Sequence, residues 1–419
     1  MKNTVLSIVF LFSTVTFSQT IERIRSEKLN STREITVKLP ASYKADSERK
    51  YPLVLVLDSE YLFKPFEGNI AYGNYWDDTP EVIIVGINQN KNEERYDDSE
   101  IDGASGLPVK KGGAFFEFIG GELLPHLEKK YPVSNFKIIA GLDSTAGFLN
   151  TFLYKDIPLF NGYISLSPDL ATGMEERIAA RLSAFKKPVY YYHATSDGDL
   201  KKFQLKIKAL DANIKTVKNP MLNYKFDDFK NASHYSLVLN AIPNALYQIF
   251  SVYKPISSIE YNDKIVVLKE GYADYLKNKY DTIEKALGIK MNVRLSDFKV
   301  IETAILKNEA YTEFEQLAQI SGQQYPKSMM YDYHMAMYYE KRNELPRALK
   351  NYQNAFIKEE IGDLTKDMML NKAEEIKGKL PKKIKGNRKA VVEEVPTETP
   401  TEVPSEVPAE TPTEEQKPK

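Results

Sequence analysis

A short turn in the middle of the chain carries two side chains that could do covalent chemistry. The stretch "FKIIAGLDSTAGFLNTF", residues 136–152, runs from a strand-like apolar segment through Asp143 and Ser144 into a helix-like segment. A nucleophile mounted between a strand and a helix needs small neighbours, because such a turn is strained and the backbone passes close to itself. The pattern therefore makes this turn a candidate position for a nucleophile. Ser144 would serve for acyl transfer, whereas Asp143 would attack an sp³ carbon.

The composition excludes several other kinds of chemistry. The chain has no cysteine, and its four histidines form no cluster with the spacing of metal ligands. It contains neither the phosphate-binding pattern G-x-x-x-x-G-K-[ST] nor the metalloprotease pattern H-E-x-x-H. A formal charge of -1, from 57 basic and 58 acidic residues, provides no field that would attract nucleic acid. We therefore expect no cofactor, no metal and no nucleic-acid partner.

Short β-branched runs alternate with helical patterns between roughly residues 33 and 252. Examples are "YPLVLVLD", "EVIIVGI" and "KKPVYYYHAT", in which apolar residues stand at consecutive positions. Such runs are typical of strands buried on both faces of a mostly parallel sheet. Helical periodicity appears between them, as in "FFEFIGGELLPHLEKKY". This alternation predicts a three-layer α/β domain, to which we assign residues 20–255.

The pattern changes to long amphipathic helices from about residue 256. The stretch "DYHMAMYYEKRNELPRALKNYQNAFIKEE" places small and aromatic residues where a tetratricopeptide repeat (TPR) has its packing positions, namely Ala336, Tyr339, Ala348, Tyr352 and Ala355. One such repeat cannot bury its own apolar face, so residues 256–380 are expected to dock onto the main domain or onto a protein partner. A plain helical extension is the alternative.

The two ends of the chain have the composition of an export signal and of a spacer. Residues 1–19 carry a lysine, then a short apolar run, then small polar residues, which is the order of a secretory signal peptide. The run is shorter than the about 20 residues of a spanning helix, so no transmembrane segment is expected. Residues 381–419 are rich in Pro, Glu and Thr, which predicts a disordered tail. We expect an exported bacterial protein, periplasmic or extracellular.

Several stretches, in order along the chain, resemble the esterase branch of the α/β-hydrolases, which contains enterochelin esterases, S-formylglutathione hydrolases and some feruloyl esterases. The stretch "RKYPLVLVLDSEYLF" is similar to the family's strand followed by Leu-Asp-Gly, and "VIIVGINQNKNEERYDD" to its Val-Gly-Ile strand with a following Arg and Asp. The segments "FFEFIGGELLPHLEKKYPV" and "LFNGYISLSPDL" are similar to those before and after the nucleophile strand. The resemblance covers roughly residues 33–252. It implies a three-layer α/β-hydrolase fold and a small-molecule ester substrate.

The resemblance leaves two frames open for the nucleophile. The family's Gly-His-Ser-x-Gly-Gly aligns without gaps when Gly141 matches the first glycine, and Asp143 then matches the serine. Thr145 and Ala146 stand where two glycines are usual, which crowds the turn. A shift by one residue makes Ser144 the nucleophile instead. Haloalkane dehalogenases and epoxide hydrolases use an aspartate nucleophile on this fold, so Asp143 also stays a candidate.

The resemblance further implies a general base, an orienting acid and an oxyanion hole. The stretch "FDDFKNASHYSLVLNAIPNAL" is similar to the family's ending with a catalytic histidine, which places His234 in that role. The acid would lie in "SDGDL" after a strand, where the family's spacing favours Asp197 over Asp199. Backbone N–H groups of Ser59 and of Thr145 or Ser144 would bind the oxyanion.

Three hypotheses of function follow from these residues. The first is an exported ester hydrolase with Ser144 as nucleophile, His234 as base and Asp197 as acid. The second is an inactive relative whose cleft and helical region bind a ligand or a protein. The third is a hydrolase of alkyl halides or epoxides with Asp143 as nucleophile. A negative charge on Asp143 argues against the first, because like charges beside the oxyanion site oppose the transition state.

Overall fold

One sheet organises the first part of the molecule. The computed structural model describes residues 19–44, 48–90 and 94–381. The strands are β1 (Thr20–Ser26), β2 (Ser31–Lys38), β3 (Tyr51–Val56), β4 (Ile83–Ile87), β5 (Val133–Leu142), β6 (Gly162–Leu166), β7 (Val189–Ser196) and β8 (Leu222–Phe229). Within the described ranges they form an eight-stranded sheet in the order β1-β2-β4-β3-β5-β6-β7-β8. The pairs β1–β2 and β2–β4 are antiparallel and the other pairs are parallel.

Helices cover both faces of this sheet and continue beyond it. The helices around the sheet are α1 (Ser59–Tyr75), α2 (Glu94–Asp98), α3 (Lys110–Phe118), α4 (Leu124–Lys130), α5 (Ser144–Leu149), α6 (Met174–Ser183), α7 (Lys201–Lys215) and α8 (Leu237–Ile249). Those that follow are α9 (Ser258–Glu260), α10 (Tyr272–Leu287), α11 (Leu295–Lys307), α12 (Glu313–Gln324), α13 (Met330–Lys341), α14 (Leu345–Phe356) and α15 (Lys366–Lys379). The predicted α/β-hydrolase fold with a helical extension is confirmed.

Apolar residues at consecutive positions bury the central strands on both faces. All six residues of β3 are buried. Successive side chains of a strand point to opposite faces, so Val54 and Ile138 join one core while Leu55 and Ile139 join the other. The sheet is therefore the middle of three layers, as its unbroken apolar runs predict.

The helical region packs directly against the sheet domain. The core that contains Ile138 continues through Phe250 and Leu287 into the last helix. Arg294 also pairs with Asp77 at the end of α1. An apolar core thus crosses the predicted boundary near residue 255, and the region docks onto the main domain by burying surface in common with it.

The predicted packing positions of a helical repeat lie mostly inside the helical region. Ala336, Ala348, Tyr352 and Ala355 are fully buried, while Tyr339 is half-buried. Helices α12 to α15 each pack against the next along the chain. A TPR-like repeat stays an interpretation of this pattern.

The structure does not describe the two ends of the chain. Residues 1–18 and 382–419, which hold most of the predicted signal peptide and tail, lie outside the described residues. In the part that is described, no helix combines the length and the apolar composition needed to cross a bilayer.

Candidate active site

In the turn between β5 and α5, Asp143 is the residue with a strained backbone conformation. Asp143 follows the last residue of β5 and precedes α5, with φ 58° and ψ −116°. Its N–H donates to the Leu166 carbonyl at 3.0 Å, and its own carbonyl accepts from the Gly147 N–H at 2.9 Å. A Cβ on Gly147 would come within 2.1 Å of the Asp169 carbonyl, so a glycine is required there. The strained residue of a nucleophile turn is the one that projects its side chain into the site, and here it is Asp143.

Ser144 occupies a different place, at the first position of α5. Its hydroxyl is buried and has no hydrogen-bond partner among the described residues. No hydrogen bond within those ranges joins it to His234. The structure therefore matches the frame in which Asp143 stands at the nucleophile position, and Ser144 follows as the variable residue.

His234 meets Asp199 rather than Asp197. The His234 Nδ1 atom lies 2.8 Å from Asp199 Oδ1. Asp199 is fully buried at its side chain and also accepts from the Thr195 hydroxyl and the Ser196 N–H. Asp197 instead accepts from Lys230 at 3.3 Å, on an exposed loop. Of the two carboxylates in "SDGDL", the second is therefore the one placed to orient the histidine, because the tight turn after β7 directs it inward.

The His234–Asp199 pair shifts the proton affinity of both partners. The hydrogen bond to Asp199 is the largest cause that raises the pKa of His234. Burial opposes the charged form of Asp199, but hydrogen bonds from His234, Thr195 and Ser196 outweigh burial and lower the pKa of Asp199. The bond leaves Nε2 of His234 available to a nucleophile or a ligand, as in a general base that is held by its acid.

A buried ion pair holds this turn in place through hydrogen bonds. Arg95 Nε donates to Asp58 Oδ1 at 2.7 Å, and its Nη2 donates to the Leu142 carbonyl at 2.9 Å. The Thr145 hydroxyl donates to Asp58 Oδ2 at 2.5 Å. Burial raises the pKa of Asp58, although the Arg95 charge and the Thr145 bond work against this rise. Thr145 thus uses its extra atoms, relative to the family's glycine, to tie α5 to the end of β3.

The predicted oxyanion residues lie at two helix starts beside this ion pair. Ser59 is the first residue of α1, after β3, and Thr145 is the second residue of α5. The first N–H groups of a helix have no intrahelical partner, so both can point at an anion. The charge of Asp143 next to them is an obstacle to a second negative charge.

Sequence reasoning missed three residues of this site. The structure adds Arg95, Asp58 and Ser167, whose hydroxyl lies 3.3 Å from His234 Nδ1. The family-like "LDS" and "ERYDD" stretches contain the first two, so a signal existed for them. Ser167 has a φ angle of 44°, and no local sequence pattern predicts this conformation. The described residues hold no group of three or more His, Cys, Asp or Glu placed to bind a metal.

Comparisons with known proteins bear on the fold of the chain. Residues 26–174 match the family described as "Putative esterase", which confirms the resemblance over that stretch. An uncharacterised protein from Capnocytophaga ochracea is 29% identical, with a TM-score of 0.79, over 86% of this chain and 100% of that chain. An IroE-like serine hydrolase from Shewanella oneidensis is 19% identical, with a TM-score of 0.55, over 72% of this chain and 98% of that chain, which shows a common fold. A comparison with curated proteins finds no match. Together these findings show the α/β-hydrolase fold and a likeness to the esterase family over residues 26–174.

Proposed function

We propose that this esterase-like α/β-hydrolase binds a small molecule at the Asp143 site without transferring an acyl group from it. The observation that carries the proposal is that an aspartate stands at the strained turn, although the hydrogen-bonded pair of His234 and Asp199 is present. The ligand would occupy the place of the family's ester substrate.

The chemistry of a carboxylate supports a site that does not transfer acyl groups. Attack by Asp143 on an ester carbonyl would form an anhydride, which is uphill. The negative charge also disfavours the oxyanion that such an attack creates. Ser144 offers no substitute in the observed conformation, because its hydroxyl is buried and has no bond to His234 in the described residues.

The test is hydrolysis of short-chain p-nitrophenyl esters by the purified protein, beside Ser144→Ala and His234→Ala. We expect the unmodified protein to turn over no faster than His234→Ala. Turnover that both substitutions abolish would overturn the proposal and establish the serine esterase of the first hypothesis.

A second candidate function is favoured by the set Asp143, His234 and Asp199. Asp143 Oδ would displace a halide ion at an sp³ carbon, or open an epoxide whose oxygen takes a proton from water, to form an alkyl ester. His234 would then take a proton from water, and the resulting hydroxide would attack the carbonyl carbon of that ester. The alkoxide would leave and take the proton from His234 to become the alcohol, and the carboxylate of Asp143 would be regenerated with one oxygen from water.

Isotope labelling tests this second candidate. A single turnover of a haloalkane or an epoxide in H₂¹⁸O should place ¹⁸O in the peptide that contains Asp143, and Asp143→Asn should abolish product formation. Absence of label from a turning-over protein would contradict an Asp143 nucleophile.

Export and a protein partner are further parts of the proposal. Export is supported by the lysine, apolar run and small residues of positions 1–19, and the mass of the mature protein recovered from its native host would test it. A partner at the helical region is supported by exposed Ile357 and Leu370 near α14 and α15. Crosslinking that maps to these helices would test the partner.

A further inference from the structure

A cleft of about 780 Å³ lies at the edge of the sheet opposite the candidate active site. Its walls come from residues 135–137, 156–161 and 184–188, near the amino ends of β5, β6 and β7, and from the end of α10. These three strands are parallel, so their amino ends share one edge, whereas Asp143 and Asp199 follow the carboxyl ends of β5 and β7. None of the residues of the candidate active site lines this cleft.

Four cations on the walls of the cleft have no carboxylate within ion-pair distance in the described ranges of the chain. A fifth, Lys137, is already offset by Glu128 at 2.8 Å. The carboxylates on the walls are those of Asp156 and Glu284, and both residues are exposed. Positive charge is therefore in excess on these walls, and the cleft attracts anions. The four cations are Arg181, Lys186, Lys187 and Lys285.

Arg181 is held on the wall of the cleft by neutral groups. Its Nε donates to the Leu153 carbonyl at 2.6 Å, and its Nη2 donates to the Lys155 carbonyl. The guanidinium carbon lies 5.6 Å from the centre of the Phe185 ring. Carbonyls and a ring orient a guanidinium without removing its charge, and arginine stays protonated in proteins. The wall therefore carries a half-buried positive charge in a fixed place.

Apolar side chains make up another part of the walls. Ile157 is 80% exposed, and Leu159 is half-buried two positions further along the same segment. Phe160 and Phe185 also line the cleft, although most of each ring is covered by the protein. A ligand with an apolar body would remove the exposed surface of Ile157 and Leu159 from water, which favours binding.

Cations without carboxylate partners and exposed apolar surface thus meet in one concave site. Its volume lies within the range of about 300–1,000 Å³ that is usual for small-molecule sites. A cationic molecule would be repelled by the excess of positive charge, and a neutral one would gain nothing from it. We propose that this cleft binds a small molecule with an apolar body and an anionic group, at a site separate from the one proposed above.

The test compares three molecules of similar shape that differ in charge. Naphthalene-2-carboxylate is the anion, naphthalene-2-carboxamide is the neutral molecule and 2-naphthylmethylammonium is the cation. Each would be titrated into the full chain and followed by calorimetry and by saturation-transfer NMR. We expect the carboxylate to bind at least about fivefold more tightly than the carboxamide, which is the effect in water of one charge about 4 Å away. The difference should shrink at about 1 M salt, because salt screens exposed charges.

Matched variants locate the bound carboxylate. The double variant Lys187→Gln with Lys285→Gln removes one charge from the sheet side of the cleft and one from α10, and it should weaken binding by at least about fivefold. The control Lys218→Gln with Lys277→Gln removes two exposed lysines that lie outside the cleft, and it should leave binding unchanged. Asp143→Asn should also leave binding unchanged, because Asp143 lies at the opposite edge of the sheet.

A second pair of variants tests the apolar contact. Ile157→Ser should weaken binding of the carboxylate severalfold, while Ile259→Ser, at a 74% exposed position on α9, should not.

Several results would overturn the proposal. They are equal binding of the carboxamide, tighter binding of the ammonium ion, no detectable binding of the carboxylate, and an equal loss in the control double variant. Loss of binding in Asp143→Asn would place the carboxylate in the candidate active site instead. Cosedimentation with phosphatidylglycerol vesicles that is lost in the Lys187→Gln, Lys285→Gln variant would assign the cleft to a membrane surface rather than to a small molecule. Ester turnover is measured separately, so its outcome decides the proposed function and not this second site.

Discussion

Replacing Asp143 with serine should create an ester hydrolase. The backbone needs no rearrangement, because position 143 already holds the strained conformation of a nucleophile turn. His234 is already bonded to Asp199 through Nδ1, so Nε2 is the nitrogen left to activate a hydroxyl. The change Asp143→Ser supplies the missing group and removes the charge that opposes an oxyanion.

The expected gain can be worked from this geometry. Loss of a triad member costs on the order of 10⁶ in turnover, and a reconstructed triad should recover part of that factor. A carboxylate about 4 Å from a developing oxyanion costs about 4 kcal/mol at an effective dielectric constant near 20, which is about a factor of 10³. Thr145 and Ala146 crowd the turn and limit the recovery. We therefore expect turnover of short-chain esters to rise by at least about 10³-fold over the unmodified protein.

The assay combines turnover with covalent labelling. Hydrolysis of p-nitrophenyl acetate and butyrate would be followed for Asp143→Ser, Asp143→Ala and the double variant Asp143→Ser with His234→Ala. A fluorophosphonate probe reports an activated serine whatever the natural substrate is, and mass spectrometry would place the adduct at position 143. The hydrogen bond to Asp199 raises the pKa of His234, and only the neutral histidine can act as a base. Turnover should therefore increase with pH, and the midpoint of the increase should lie above about pH 6.5.

One outcome would refute the interpretation of an otherwise intact site. This outcome is an Asp143→Ser variant that melts at the temperature of the unmodified protein yet shows no probe adduct and no turnover above Asp143→Ala. It would mean that His234 does not reach position 143 in solution. Activity that survives in the double variant would also contradict the role of His234.

Three further predictions concern stability. Asp199 has a lowered pKa, so its contribution to stability is present above about pH 3.8 and is lost as the pH falls through the folded-state pKa. The free energies of unfolding of the unmodified protein and of Asp199→Asn, measured by urea titration, should therefore converge toward pH 2. Arg95→Ala leaves the buried Asp58 carboxylate unpaired and should lower the free energy of unfolding by about 3–5 kcal/mol, whereas a loss below about 1 kcal/mol would contradict the role of this ion pair. A chain that ends at residue 255 would expose Phe250 and its neighbours to water, so it should lose cooperative thermal unfolding in calorimetry, and a sharp transition would show that the helical region is dispensable.

Much of the site was predictable because its parts are local. Gly141 and the small residues after Asp143 predict a strained turn between a strand and a helix, and the structure has such a turn at Asp143. The sequence left both Asp143 and Ser144 open as the nucleophile, and the structure has the strained backbone conformation at Asp143. The acid could not be chosen in this way, because Asp197 and Asp199 stand two residues apart in one turn, and the direction of each side chain depends on how the chain leaves β7.

The sequence by itself determined the periodic features of this protein. Buried strands, amphipathic helices and their order follow from neighbouring residues, because secondary structure depends on short-range spacing. Only the tertiary structure decided which distant groups meet. Asp58, Arg95 and Thr145 come from three separate segments, and His234 reaches Asp199 across 35 positions. Such contacts depend on the parallel register of the sheet, which brings the carboxyl ends of its strands to one edge, and no local pattern encodes the distances between them.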